Sequence, residues 1–129
     1  MLKKGILNPQ INSLLSRFRH TNTIVIADRG FPFWKEVEII DISLVDDIPT
    51  VLQVASAIRP HVVIGNAWMA EEFLKSNTRE VVEMFKKTLE GINLKFEPHL
   101  EFKKRVPSAI GLIRTADTIQ YANIILESA

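Results

Sequence analysis

The sequence contains no cysteine, which excludes disulfides, thiolate metal sites, cysteine nucleophiles and iron–sulfur clusters together. It contains no uninterrupted run of roughly 18 apolar residues, so no membrane-spanning helix and no membrane partner are expected. Charge of one sign is also scarce. Sixteen Lys+Arg against fifteen Asp+Glu leave +1 at pH 7, so no nucleic acid is expected as a partner. The five glycines are scattered, and neither a Walker loop nor a dinucleotide fingerprint can be written on them. No serine stands in a nucleophile-elbow context. The three histidines, His20, His61 and His99, lack the close spacing of a helical metal site, so no metal is expected. Lys3 and Lys4 are not followed by an apolar stretch, so a signal peptide is not expected and a cytoplasmic domain is.

What remains is an ordinary globular balance, 47% apolar and 24% charged over 129 residues, without repeats or a linker. A single domain over residues 1–129 is expected. Asn8 and Pro9 open a helix whose Ile11, Leu14, Leu15 and Phe18 share one face, ending near Arg19-His20. Thr23–Ala27, apolar on both faces, reads as a central strand, and Val37–Ile42 as a second. Asp47, followed by Pro49, reads as the cap of a helix that faces inward through Ile48, Val51, Leu52, Ala55 and Ile58 and ends at Pro60. His61–Ile64 reads as a short buried strand. Asn77 and Glu80 have capping-box spacing before a helix bearing Val81, Val82, Phe85 and Leu89, which Gly91 stops. Ile92–Phe96 reads as a strand, His99–Arg105 as a short helix, and Ala109–Arg114 and Asn123–Leu126 as two closing strands, antiparallel to each other. Strands alternating with helices imply an α/β fold, a three-layer α/β/α domain with a mainly parallel, mixed central sheet.

In such a sheet ligands gather at the carboxyl ends of strands. Asp28 stands at one such end, with Gly30 just beyond it; it is either a ligand contact or the cap of the following turn. His20 precedes the same strand, either as a functional group or as a helix C-terminal cap. Five extended residues separate the two by roughly 17 Å, so one chain cannot join them unless loops fold back or a second subunit supplies one. Tyr121 and Asn123, read as extended chain, project to one face while Ala122 points away. A phenol beside a carboxamide suits a polyol better than a phosphate; the alternative is an ordinary strand edge. Phe31, Phe33 and Trp34 form an aromatic loop cluster, suited to a subunit contact, to the core or to a sugar-ring wall. Lys103-Lys104-Arg105 reads as a solvated face.

Lys3–Asn8, His20–Pro32, Pro98–Lys103, Ile113-Arg114-Thr115 and Tyr121–Leu126 together resemble the D-ribose pyranase/L-fucose mutarotase family, over nearly the whole chain and in order. The Ala27-Asp28-Arg29-Gly30-Phe31-Pro32 stretch is closer to the ribose branch. The resemblance implies a cofactor-free isomerase that interconverts the pyranose and furanose forms of a free, ribose-like monosaccharide. It also implies a cytoplasmic homo-oligomer, a decamer of two stacked five-membered rings with sites at subunit boundaries. On this resemblance His20 is the proton donor, and Asp28, His99, Tyr121, Ala122 and Asn123 contact the sugar, Ala122 through its backbone. A fucose-type anomer mutarotase and a non-catalytic sugar-binding protein are the alternatives. The chain departs from the family pattern at Arg29, at Phe33-Trp34, and at Thr115-Ala116-Asp117, where Thr-Gly-Glu is usual.

Overall fold

Thr23–Ala27 forms strand β1 in the computed structural model, which describes residues 1–129. Its alternate residues divide between two cores, as the period of two along a strand requires. Ile24 and Ile26 point into a large cluster, Val25 and Ala27 into a smaller one on the opposite face. The other strands are β2 (Ile39–Asp41), β3 (Ile64–Ala70), β4 (Asn93–Glu97), β5 (Gly111–Arg114) and β6 (Ile124–Ser128). They form one sheet in the order β2-β5-β1-β6-β3-β4. All neighbours are parallel except β6, which runs antiparallel to both β1 and β3. The sheet is therefore mixed, with β1 central.

Helices α1 (Pro9–Ser16), α2 (Val51–Ile58), α3 (Glu71–Ser76) and α4 (Arg79–Thr88) cover the face of the larger cluster. Phe73 of α3 and Phe85 of α4 meet there with ring centroids 4.7 Å apart. The opposite face is covered by α5 (His99–Arg105), through Phe102, and by the segment after β1, through Phe31 and Val37. Three layers result, unequal in thickness. No helix is long and apolar enough to cross a membrane. Gly111 shows how closely α1 is seated: a Cβ there would stand 2.5 Å from Leu14 Cδ1, so any other residue would displace the buried Leu14 side chain.

Several local expectations are corrected. Helix α1 ends at Ser16 rather than near Arg19-His20, because Arg17 already returns its N–H to Leu14 and Leu15 carbonyls. Asp47 does not cap α2. Its backbone is left-handed (φ 64) and its carboxylate accepts from the Thr118 N–H and hydroxyl, while Thr50 and Gln53 form the capping box. Ile48 is consequently exposed. The strand expected at His61–Ile64 begins only at Ile64, after a 3-10 turn over Arg59–His61, and runs on to Ala70. Thr78, not Asn77, caps α4; the Asn77 amide instead donates to the Phe73 and Gln120 carbonyls. The second strand shortens to Ile39–Asp41. The two closing strands run in opposite directions but do not pair, because β1 lies between them.

Candidate active site

The sheet order decides which side chains meet. Asp28 follows β1, and His99 comes two residues after β4, so both stand at carboxyl ends of parallel strands. Between β1 and the β3–β4 pair lies the antiparallel β6, whose amino end falls on that same edge. Tyr121 and Asn123, just ahead of β6, thereby come between Asp28 and His99. Asp28, Gly30, Phe31, Pro32, His99, Gln120, Tyr121 and Asn123 line one open cleft of about 330 Å³. Tyr121 arrives there in a left-handed turn (φ 57) rather than as extended chain, so the simple alternation expected of Tyr121 and Asn123 is corrected, although both face the cleft. Ala122 is fully buried in the larger core and does not line the cleft.

Each polar group is held by something specific. The Asn123 carboxamide, 4% exposed, accepts the Asp28 N–H at 2.8 Å. The Asp28 carboxylate accepts the Gly30 N–H at 3.0 Å, fixing the turn that follows. The His99 ring packs edge-on to Tyr121 at 5.1 Å, with Phe31 and Phe102 on its other sides. Its Nε2 is buried and has no hydrogen-bond partner within the chain.

Burial pushes the Asp28 carboxyl above its ordinary value, helped by the negative charge of Asp117 and opposed by hydrogen bonds from Gly30, Asn123 and Phe31. Burial, and then the nearby Lys103 ammonium, push the His99 imidazole below its ordinary value, against the pull of Glu72 and Asp28. The folded chain thus holds His99 neutral at a pH where the unfolded chain protonates it. Its contribution to stability is complete above the unfolded value of about 6.5 and is lost progressively as pH falls from there through the lower folded value. Asp28 has the opposite sign: its buried charge opposes folding at neutral pH, and that opposition is relieved as the group protonates in acid. The His99 Cε1 proton resonance is expected to titrate below the midpoint of a free histidine. A midpoint at or above that of free histidine would overturn this account of the cleft.

His20 is not in the cleft. It lies exposed in the turn before β1, at the opposite end of that strand from Asp28. The turn itself is pinned, because the Thr21 N–H donates to the Ser128 carbonyl and the Ser128 N–H to the Asn22 carbonyl. His61 is exposed in the 3-10 turn after α2, away from both places. The aromatic loop splits: Phe31 is buried at the cleft wall, Trp34 packs on it at 6.2 Å, and Phe33 is 74% exposed. Arg29 turns away to an exposed ion pair with Asp46. The basic triplet is only partly a free face, since Arg105 is paired with Glu97 and lies 4.5 Å over the Trp68 ring.

Two residues that sequence reasoning passed over support the cleft. Arg114, at the end of β5, donates to the Phe31 carbonyl at 2.5 Å, with longer reaches to the Arg29 and Pro32 carbonyls, and so holds the cleft loop from beneath. A lone cation closing an apolar strand was its signal. Glu72 accepts the His99 backbone N–H with both carboxylate oxygens, at 3.0 and 3.1 Å.

Among known proteins, the model of the RbsD / FucU transport protein family matches residues 1–129. A D-ribose pyranase from Geobacillus thermodenitrificans is 41% identical over 128 residues, covering 99% of this chain and 96% of the relative. One from Corynebacterium glutamicum is 38% identical, covering 99% and 97%. The solved structure of Bacillus subtilis RbsD complexed with D-ribose superposes with a TM-score of 0.93 at 32% identity, covering 100% of this chain and 98% of that one. The fucose mutarotase from Streptococcus pneumoniae, solved in complex with L-fucose, shares the fold with a TM-score of 0.84 at 18% identity, covering 99% and 98%.

Proposed function

This chain belongs to the RbsD / FucU transport protein family, and we propose that within it the chain is a D-ribose pyranase, an isomerase that interconverts the pyranose and furanose forms of free ribose. Opening an aldose ring needs two proton movements. A base takes the anomeric hydroxyl proton while an acid protonates the ring oxygen, giving the open aldehyde; reclosure through a different hydroxyl reverses both steps. Neither a nucleophile nor a metal nor an electrophilic cofactor enters that sequence. Acid–base help alone is worth roughly 10²–10⁴-fold, which suffices for a reaction that already proceeds in water.

The observation that carries this reading is the convergence of Asp28, His99, Tyr121 and Asn123 on one cleft, where the buried His99 Nε2 has no hydrogen-bond partner within the chain. Donors and acceptors without a free cation suit a neutral polyol. In this assignment Asp28, His99, Tyr121 and Asn123 bind the sugar through side chains and His20 donates the proton; Ala122, buried away from the cleft, is left out of it. The ribose preference over a fucose-type reaction is supported by the names and identities of the relatives. Saturation-transfer NMR on ribose, with and without protein, tests the reading. Accelerated exchange between ring forms is expected; binding without exchange would replace the enzyme by a sugar-binding protein.

His20 reaches such a cleft only from another copy, so the proposal includes a homo-oligomer with shared sites, a decamer of two five-membered rings. Exposed Phe33 and Leu100, on the segments flanking the cleft, support a covered surface there. Light scattering at micromolar protein is expected to return the mass of ten chains. A smaller closed assembly would overturn the stacked rings, and 14.7 kDa would overturn the shared site as well. A cytoplasmic location is part of the same reading.

A further inference from the structure

Helix α5 begins at His99 behind Pro98, a residue with no side-chain group to cap it. The first N–H groups of a helix need acceptors from elsewhere. For His99 that acceptor is Glu72, and sheet register explains why. Strands β3 and β4 are parallel neighbours with Ala70 opposite Glu97, and Glu72 and His99 each stand two residues further on. The carboxylate therefore lies behind the histidine while the ring stands in the cleft, and Glu72 itself does not line the cleft. It makes no other hydrogen bond or ion pair, so its charge is directed at this one residue.

The groups that face His99 come from every neighbouring element: Lys103 on its own helix, Glu72 on α3, Asp28 after β1, the Tyr121 phenol before β6, and the apolar rings of Phe31 and Phe102. Among them Glu72 and Asp28 favour the protonated ring, against Lys103 and burial. Asp28 shares the cleft and is committed to the sugar in the reading above. Glu72 acts from behind.

We propose that Glu72 is a positioning residue for His99: it anchors the amino end of α5 so that the imidazole stays in the cleft, and it tunes the charge that ring presents to the sugar. The proposal rests on the assignment of His99 as a sugar contact. In the full oligomeric protein, Glu72→Gln retains an oxygen for the His99 N–H but loses the charge. The NMR titration of His99, recorded without sugar, is expected to move to lower pH, and the acidic limb of the ribose exchange profile to move with it. Glu72→Asp, which restores the charge, is expected to bring the titration back. Glu72→Ala loses the anchor too and is expected to raise KM for ribose by roughly 2–10-fold, the worth of one hydrogen bond. A Glu72→Gln protein with both the His99 titration and the pH profile unchanged overturns the proposal. Wild-type protein that fails to exchange ribose overturns the mutarotase reading instead, and the His99 titration in Glu72→Gln then still decides for or against the tuning role.

Discussion

His20→Ala is expected to slow exchange between ribose ring forms by roughly 10²-fold or more, while the fold and most of the sugar affinity survive. The side chain is exposed on a turn held by backbone hydrogen bonds between Thr21, Asn22 and Ser128, so its removal leaves no buried partner unsatisfied. On the proposed assignment its contribution is confined to the proton it delivers into a neighbouring copy's cleft. Asn123→Ala is expected to behave differently. The Asn123 oxygen accepts the Asp28 N–H, so truncation releases the turn that presents the carboxylate and lowers binding together with rate. His61→Gln, exposed and remote from the cleft, is the control and is expected to be silent. Mixing inactive His20→Ala chains with inactive Asn123→Ala chains adds a sharper readout, because shared sites regain activity where an intact His20 meets an intact cleft. Wild-type exchange by His20→Ala would shift the proton chemistry to His99 or Tyr121.

Much of this arrangement was legible in the residues, and what was not has a common physical cause. The five-residue β1 reads correctly because Ile24, Val25, Ile26 and Ala27 are apolar on both faces, a pattern only an interior strand satisfies. The start of α1 and the whole of α5 read correctly because Asn8, Pro9 and Pro98 are local signals. Helix α3 and most of β3 were missed, since Gly65-Asn66-Ala67 carries little strand preference and is held by pairing with β4 and β6. The cleft residues were individually visible at strand ends, but their convergence depends on β6 entering between β1 and β3 in the reverse direction. The roles of Glu72 and Arg114 were hidden for the same reason: each acts on backbone 27 or more residues away in sequence, and only sheet order brings it there, although Arg114 stood out as a lone cation closing an apolar strand.

The second large effect is expected in stability, at Asp117. In sequence it marks a departure from the family's usual Thr-Gly-Glu and so draws attention to substrate choice. The structure gives it other work. Asp117 is 1% exposed, and its two carboxylate oxygens accept the Val51 N–H at 2.9 Å and the Ile119 N–H at 2.8 Å. Val51 opens α2, where Thr50 already serves the Gln53 N–H, so Asp117 supplies the cap for a different free donor and sets negative charge at the helix's amino end. Asp117→Ala orphans the buried Val51 N–H at about 1–3 kcal/mol and the part-buried Ile119 N–H, which water can partly serve, at about 1 kcal/mol, and is expected to cost roughly 2–4 kcal/mol of unfolding free energy. That is a large share of the stability of an ordinary domain. Asp117→Asn keeps one acceptor and is expected to cost less. Both variants also remove a negative charge that pushes the Asp28 carboxyl upward, so Asp28 is expected to ionise more readily in them. Urea unfolding at matched protein concentration measures the first effect, because the proposed assembly would make stability concentration-dependent. An Asp117→Ala protein within about 0.5 kcal/mol of wild type, the range of an ordinary surface substitution, would overturn this capping role.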